Sequence, residues 1–353
     1  MGISIFKIIG GLCLALVLAL GCFLVYVTVT DYKPAEVTPL TVYNNNGAVL
    51  QQGQPLQVTT FNIGYAGLDA GQDFFMDGGS MARSSSKTQT VNNLEEITSF
   101  LKTSTSDIYL LQEVDVKSSR SYKVDEVSHI TSEMPDYSHV FALNYKTPWV
   151  PLPVLHPMGS VQSGLVTLAK PKTSSHLRYD LPGKESWPYQ LFELDRAFIE
   201  SRFPVDNGKE LVLLNAHLSA YDKGGHIRKQ QLEYLNAYIE KESQHGNYLI
   251  IGGDWNHTLP GTDSKLFETT QGWPAWLQPF PADFLPEGFH WAVDPAIPSV
   301  RTLDVSYSEG VNFRAVIDGF LVSPNVEVTA VHGQELNFAN SDHNPVTAEF
   351  VLK

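Results

Sequence analysis

The chain has 353 residues, 43% hydrophobic and 18% charged, with a formal net charge of −14 and no low-complexity tract or internal repeat. This describes an ordinary globular protein with a large core, and the acidic balance disfavours tight nucleic-acid binding through counterion release, although a local basic groove can sit on an acidic protein. Both cysteines, Cys13 and Cys22, fall in one N-terminal apolar segment, so the remainder has no disulfide, thiol nucleophile or zinc-thiolate site.

In chain order, the first element is that apolar segment. From Ile8 to Val29 only Gly, Cys, Thr and Tyr interrupt the run, and as a helix it would be about 33 Å long, enough to cross a bilayer core. A signal peptide is the rival reading, with Ala19-Leu20-Gly21-Cys22 faintly resembling a lipoprotein cleavage box, but the apolar run continues past Cys22 further than a typical signal core. Residues 1–30 are therefore expected to be a transmembrane anchor or an uncleaved signal segment. Lys7 on the short side favours a cytoplasmic N-terminus and an extracytoplasmic domain, and Lys33 on the far flank weakens that bias. Residues 31–50 read as a polar stalk. No Pro/Gly/Ser-rich linker divides the rest of the chain, so 51–353 is expected to be one catalytic domain, monomeric in solution.

This domain shows alternating β and α signals. Leu56 to Phe61 is a strand; Val91, Leu94, Ile97, Phe100 and Leu101 have helical spacing; Ile108 to Leu111 is a strand. Further strands are expected at 164–168, 197–203, 211–215, 248–251, 316–322 and 346–350, with a helix over Arg228–Lys241. Many strands and few helices predict an α/β (α+β) domain of two β-sheets packed face to face, helices outside. Polar residues cluster where the strands end: Asn62, Glu113, His217, Asp254 with Asn256, Asp318, and Asp342 with His343. Singly, each has a bland explanation as a turn residue, a cap or a hydrogen-bonded core histidine. Together, at the ends of successive strands, they can meet at one sheet edge.

The segments Thr60-Phe61-Asn62-Ile63, Leu111-Gln112-Glu113-Val114, Asn215-Ala216-His217-Leu218, Gly253-Asp254-Trp255-Asn256, Ile317-Asp318-Gly319 and Ser341-Asp342-His343-Asn344-Pro345 resemble, in that order, the endonuclease/exonuclease/phosphatase superfamily. This is the fold of pancreatic deoxyribonuclease, abasic-site endonucleases, bacterial sphingomyelinases and inositol polyphosphate 5-phosphatases. The resemblance implies a metal-dependent phosphoric ester hydrolase of the phosphodiesterase or nuclease type. Asn62, Glu113 and Asp342 would form an oxygen-rich site for Mg²⁺, with Mn²⁺ able to take its place. Asp254 would orient or deprotonate the attacking water, and Asn256 would position the water or the phosphate. His217 and His343 would stabilise the pentavalent phosphorane or protonate the leaving group, with Asp318 orienting His343.

Substrate choice falls to less familiar segments. Asn144 to Val161 is rich in proline and apolar residues, and Trp273 to Trp291 is aromatic and proline-rich; each reads as a loop that either lines the site or touches a partner, or packs over the sheet rim. Lys170, Lys172, His176, Arg178 and Lys184 are either a solvated loop or a phosphate-contacting patch. The acidic charge and the Trp149–Leu155 run incline the reading toward a membrane-anchored, sphingomyelinase-like enzyme acting on a phospholipid head-group phosphodiester. An extracytoplasmic nuclease acting on DNA or RNA, and a catalytically silent binding module, are the alternatives. A silent relative is expected to lose metal or histidine positions, and all eight are present.

Overall fold

A computed structural model describes residues 5–222, 224–284 and 286–353. In chain order its main elements are α1 (Ile5–Val29), β1 (Val37–Pro39), β2 (Pro55–Asn62), α2 (Lys87–Ser104), β3 (Ile108–Asp115), α3 (Glu126–Glu133), β4 (Ser138–Val150), β5 (Gly159–Ala169), β6 (Ser175–Asp180), β7 (Ala197–Pro204), β8 (Glu210–His217), α4 (His226–Ser243), β9 (Tyr248–Asp254), β10 (His290–Ala292), β11 (Asp318–Val322), β12 (Val326–Gly333) and β13 (Val346–Leu352). Helix α1 is long and apolar enough to cross a membrane, a test that signal sequences also pass.

The strands form two sheets, as the alternation predicts. One runs β1-β6-β7-β8-β9-β11-β10 and the other β12-β13-β2-β3-β5-β4. Between them lies a core to which both sheets contribute, including Val58, Leu110 and Phe350 from one and Leu213, Ile250 and Phe320 from the other. Burying each such side chain contributes roughly 1.5–3 kcal/mol. The outer face of the six-stranded sheet is covered by α2 and α3 through Leu94, Ile97, Leu101 and Ile130. Helix α2 starts where Ser86 Oγ accepts from Gln89 N–H at 3.0 Å, satisfying one of the four free donors of its first turn. The outer face of the seven-stranded sheet is covered by α4 and an aromatic group around Trp255, whose indole donates to Gly319 O at 3.1 Å.

Three expectations change. Residues 31–50 are no free stalk: β1 pairs antiparallel with β6, Leu40 and Val42 pack on the sheets, and Asn45 exchanges two hydrogen bonds with Thr173 at 2.9 Å. Their polar composition hides Leu40 and Val42, which supply the apolar contact. Residues 144–161, read as a loop, are largely a hairpin, because β4 continues to Val150 and pairs with β5 from Gly159. The strand expected over 316–322 begins at Asp318, and Arg314–Ala315 instead pairs with Val300–Arg301.

A glycine and a buried amide pair set the geometry at the sheet ends. Gly253 has φ +149°, and a Cβ there would stand 1.9 Å from Ala216 O, so only glycine lets β9 lie flush against β8. Between the sheets, Asn215 Nδ2 donates to Val166 O at 2.9 Å while its Oδ1 accepts from Gln112 Nε2 at 2.8 Å. These amides link the sheets just beneath the polar strand ends, and their bonds offset the cost of burying them.

Candidate active site

In the seven-stranded sheet, strand register alone aligns three of the expected residues. His217 lies opposite Asp254 across the parallel β8–β9 pair, and Asp254 lies opposite Asp318 across the antiparallel β9–β11 pair. The six-stranded sheet supplies the rest. Asn62 ends β2; Glu113 sits at a register shift in β3 with φ +54°, which turns its side chain out of the strand's alternation. Asp342 and His343 precede β13, held by Arg301 N–H on Asp342 O at 3.1 Å and by Ser341 Oγ, which donates to Asn62 O at 2.8 Å. All eight expected residues meet at this edge. Asn62, Glu113, His217, Asp254, Asn256, Asp342 and His343 line one cleft, and Asp318 stands directly behind His343.

Asp254 is the hub. Its Oδ2 accepts from Asn62 Nδ2 at 3.0 Å and lies 3.4 Å from His217 Nε2 and 3.8 Å from His343 Nε2, while Oδ1 accepts from Asn256 N–H at 2.9 Å. Asn256, in the left-handed region at φ +50°, uses Nδ2 to hold Leu218 O at 2.8 Å, so it fixes the end of β8 as well as facing the cleft. His343 Nδ1 is 2.8 Å from Asp318 Oδ2, which leaves Nε2 toward the cleft.

Electrostatics separate the two imidazoles. Burial tends to lower His343, but Asp318, Asp254 and Asp342 outweigh it and hold the imidazole up at about 10. His217 is pushed well down by burial, then by Arg196 and His343. Near neutral pH one histidine is a cationic donor and the other a neutral ring. Burial also raises the carboxyls of Asp254 and Asp342, the latter to about 6, with Glu113 pushing Asp342 further up.

That crowding of Glu113 and Asp342 is what a hard cation would relieve, and two carboxylates completed by water suit Mg²⁺. Gly64 makes room: a Cβ there would stand 2.7 Å from Asp342 Oδ1. Asn62 fits the metal role less well, because Oδ1 accepts from Gly64 N–H at 3.0 Å and it is Nδ2 that faces Glu113 and Asp254. Asp254, Asp318 and His343 also bring ligand atoms within 4.8 Å of one another, enough to hold a metal ion.

Three arginines that line the cleft lie outside the expected set, Arg120, Arg196 and Arg301, and the Arg301 guanidinium is held by the Asp69 carbonyl at 2.7 Å. Arg120 grips Asp115 through two bonds at 3.2 and 3.0 Å, stands 3.7 Å from Glu113 Oε2 and lies over the Tyr65 ring at 3.8 Å. Arg196 also lines the cleft, and its Nη1 is buried without a hydrogen-bond partner among the described residues. A guanidinium left open beside His217 and Asp254 is suited to a phosphoryl oxygen. In sequence each is a lone arginine near a strand, with no motif to mark it. The basic stretch from Lys170 to Lys184 lies elsewhere: Arg178 is buried against Asp180 and Lys184 pairs with Asp195, both at 2.8–2.9 Å. None of its basic residues lines the cleft. Of the aromatic stretch 273–291, Trp276 reaches the cleft, while Phe280, Phe284 and Phe289 pack around Trp255.

A family model described as "Endonuclease/Exonuclease/phosphatase family" matches residues 59–343. No curated protein matches the chain. Among solved structures, the chain is similar to an endonuclease/exonuclease/phosphatase from Beutenbergia cavernae DSM 12333, with TM-score 0.58 and 18% identity over 85% of this chain and 72% of that one. It is similar to D. rerio TDP2 complexed with single strand DNA product, with TM-score 0.52 and 15% identity over 84% and 99%. It is also similar to the human Nocturnin catalytic domain with bound sulfate anion, with TM-score 0.52 and 16% identity over 90% and 99%. At these identities the likeness is one of fold.

Proposed function

Because this chain belongs to the endonuclease/exonuclease/phosphatase family of phosphoester hydrolases, we propose that it is a membrane-anchored, Mg²⁺-dependent phosphodiesterase acting on a phospholipid head-group diester, as a sphingomyelinase does. The observation that carries this reading is the mixed lining of the cleft. It is lined by Asp254, the histidines and Arg196 and also by Leu68, Phe74, Met158, Phe192 and Leu194, of which Leu68, Phe74, Met158 and Leu194 pack in one apolar cluster. The polar groups fit a phosphate, and the apolar ones fit a substrate with a hydrocarbon body. The net charge of −14 argues in the same direction, since a long polyanion is repelled by an acidic surface.

When bound at Glu113 and Asp342, a divalent cation would polarise a phosphoryl oxygen. The protein's own groups would do the rest. Arg196 holds a phosphoryl oxygen, and Asn62 Nδ2, donating to Asp254 Oδ2 at 3.0 Å, keeps that carboxylate in place. Asp254 orients a water for in-line attack and accepts its proton as the new P–O bond forms. As the opposite P–O ester bond breaks, His343 Nε2–H gives its proton to the departing oxygen, and Asp318 keeps the ring's tautomer and orientation correct for that transfer. His217 stays neutral beside Asp254 and stabilises the phosphorane by hydrogen bonding. Lys7 on the short side of α1 supports an extracytoplasmic domain.

A nuclease is the second reading, favoured by the fold shared with TDP2, whose structure carries a single-strand DNA product. Full-length protein in vesicles, offered sphingomyelin, DNA, RNA and inositol phosphates with and without Mg²⁺, separates the two. Head-group phosphate release from vesicles that needs Mg²⁺ is the expected result. Fast cleavage of DNA at physiological salt with every vesicle lipid untouched would replace the lipid reading with the nuclease one.

A further inference from the structure

We propose that the cleft opens onto the bilayer itself, so that a lipid diester enters sideways from the leaflet beside α1 rather than from bulk water; this rests on the lipid reading above. The first support is contact between the apolar helix and the cleft wall. The Phe23 ring stacks on the Phe192 ring, centroids 6.1 Å apart and planes 13° from parallel, and Trp187 Nε1 donates to Thr28 Oγ1 at 3.2 Å. Phe192 lines the cleft, and its carbonyl accepts from the hydroxyl of Tyr145, another lining residue, at 2.7 Å. Phe23 lies about 9 Å of helix before Val29. When α1 spans, Phe23 is within the apolar slab or at its boundary, and so is the wall it touches.

The second support is the short tether. Residues 30–36 are all that separate α1 from β1, and Glu36 O already accepts from Asp180 N–H at 2.8 Å. A domain held this way cannot swing clear of the surface that holds α1.

The third support is what the neighbouring surface exposes. The β4–β5 hairpin that carries Tyr145 and Met158 ends in Leu152, Val154 and Leu155, the last two 80% and 86% exposed. The turn that carries Phe192 exposes Trp187 and Tyr189, 55% and 67%. From Thr147 to Val161 there is no Asp, Glu, Lys or Arg, in a chain that is strongly acidic elsewhere. Single exposed apolar residues are ordinary on any protein. These flank one cleft wall and continue a helix that suits a bilayer, and Trp and Tyr favour the lipid–water boundary.

The test uses the full-length chain with Cys13→Ser and Cys22→Ser, carrying Leu155→Cys or, just before β8 on its far end, Lys209→Cys. Each cysteine is labelled with a polarity-sensitive fluorophore in phosphatidylcholine–sphingomyelin vesicles containing spin-labelled lipid. The label at 155 should shift to the blue and be quenched, and the label at 209 should do neither. In unlabelled protein, Val154→Asp with Leu155→Asp should lower the ratio of vesicle-lipid to soluble-diester turnover about ten-fold. Lipid turnover with an aqueous label at 155 and an unchanged ratio would overturn the proposal. Quenching at 155 without turnover of any vesicle lipid would instead sink the lipid substrate and leave membrane docking standing.

Discussion

Asp318 Oδ2 and His343 Nδ1 are 2.8 Å apart, and this one bond decides which imidazole nitrogen faces the cleft. Asp318 itself does not line the cleft, so it works through His343 as a positioning residue. Asp318→Asn keeps the shape and removes the charge that does most to hold the imidazole up at about 10. Turnover should fall by about 10²–10⁴-fold with KM little changed. The cationic form is required, so activity is lost as pH rises through the His343 pKa. Without Asp318 that loss should begin at lower pH, and an alkaline limb that stays where it is in wild type would contradict the role.

Much of this arrangement is legible in the sequence. The strand ends at Asn62, His217 and Asp254 close apolar runs with clear β signals, and the alignment of His217 with Asp254 is a consequence of register. The position of Glu113 is legible only through motif, since it depends on a register shift in β3 that no periodicity reveals. Residues 31–50 read as a stalk because their few apolar residues are spaced among polar ones, yet Leu40 and Val42 find a groove on the sheets. Arg120 and Arg196 escape sequence reasoning because an arginine near a strand is usually a surface residue; only the fold turns them into the cleft.

Arg196 is expected to bind the phosphoryl group. Arg196→Met should raise KM and lower kcat/KM about 10²-fold on lipid and soluble diesters alike, with thermal stability unchanged or improved, since a buried guanidinium lacking a partner at Nη1 is removed. Arg196→Lys should recover part of the loss. Steady-state kinetics on a soluble diester decide it, and wild-type constants for Arg196→Met would remove Arg196 from the site.

Far from the cleft, His176 predicts an acid-side loss of stability. Its ring bonds Ser201 and Thr173 hydroxyls at 2.8 Å, and burial lowers its pKa to about 4. The unfolded chain, with an ordinary imidazole, takes up a proton from about pH 6.5 downward while the folded chain does not until about pH 4. This group therefore reduces stability progressively across that window as pH falls, by up to about 3 kcal/mol. His176→Gln, neutral throughout, should flatten that part of the stability–pH curve. Parallel curves for the two proteins in denaturant melts would rule the effect out.

The most direct test of a metal-dependent site built from these strand ends is a paired measurement on full-length wild type, Glu113→Gln and His343→Ala. Mg²⁺ titration calorimetry and turnover of a soluble phosphodiester are read on the same samples. Removing a carboxylate takes a formal anion from a hard cation, whereas removing an imidazole does not. Glu113→Gln should bind Mg²⁺ at least ten-fold more weakly and lose turnover. His343→Ala should bind Mg²⁺ nearly as wild type does and still lose most of its turnover. Full activity of Glu113→Gln in excess chelator would contradict the account.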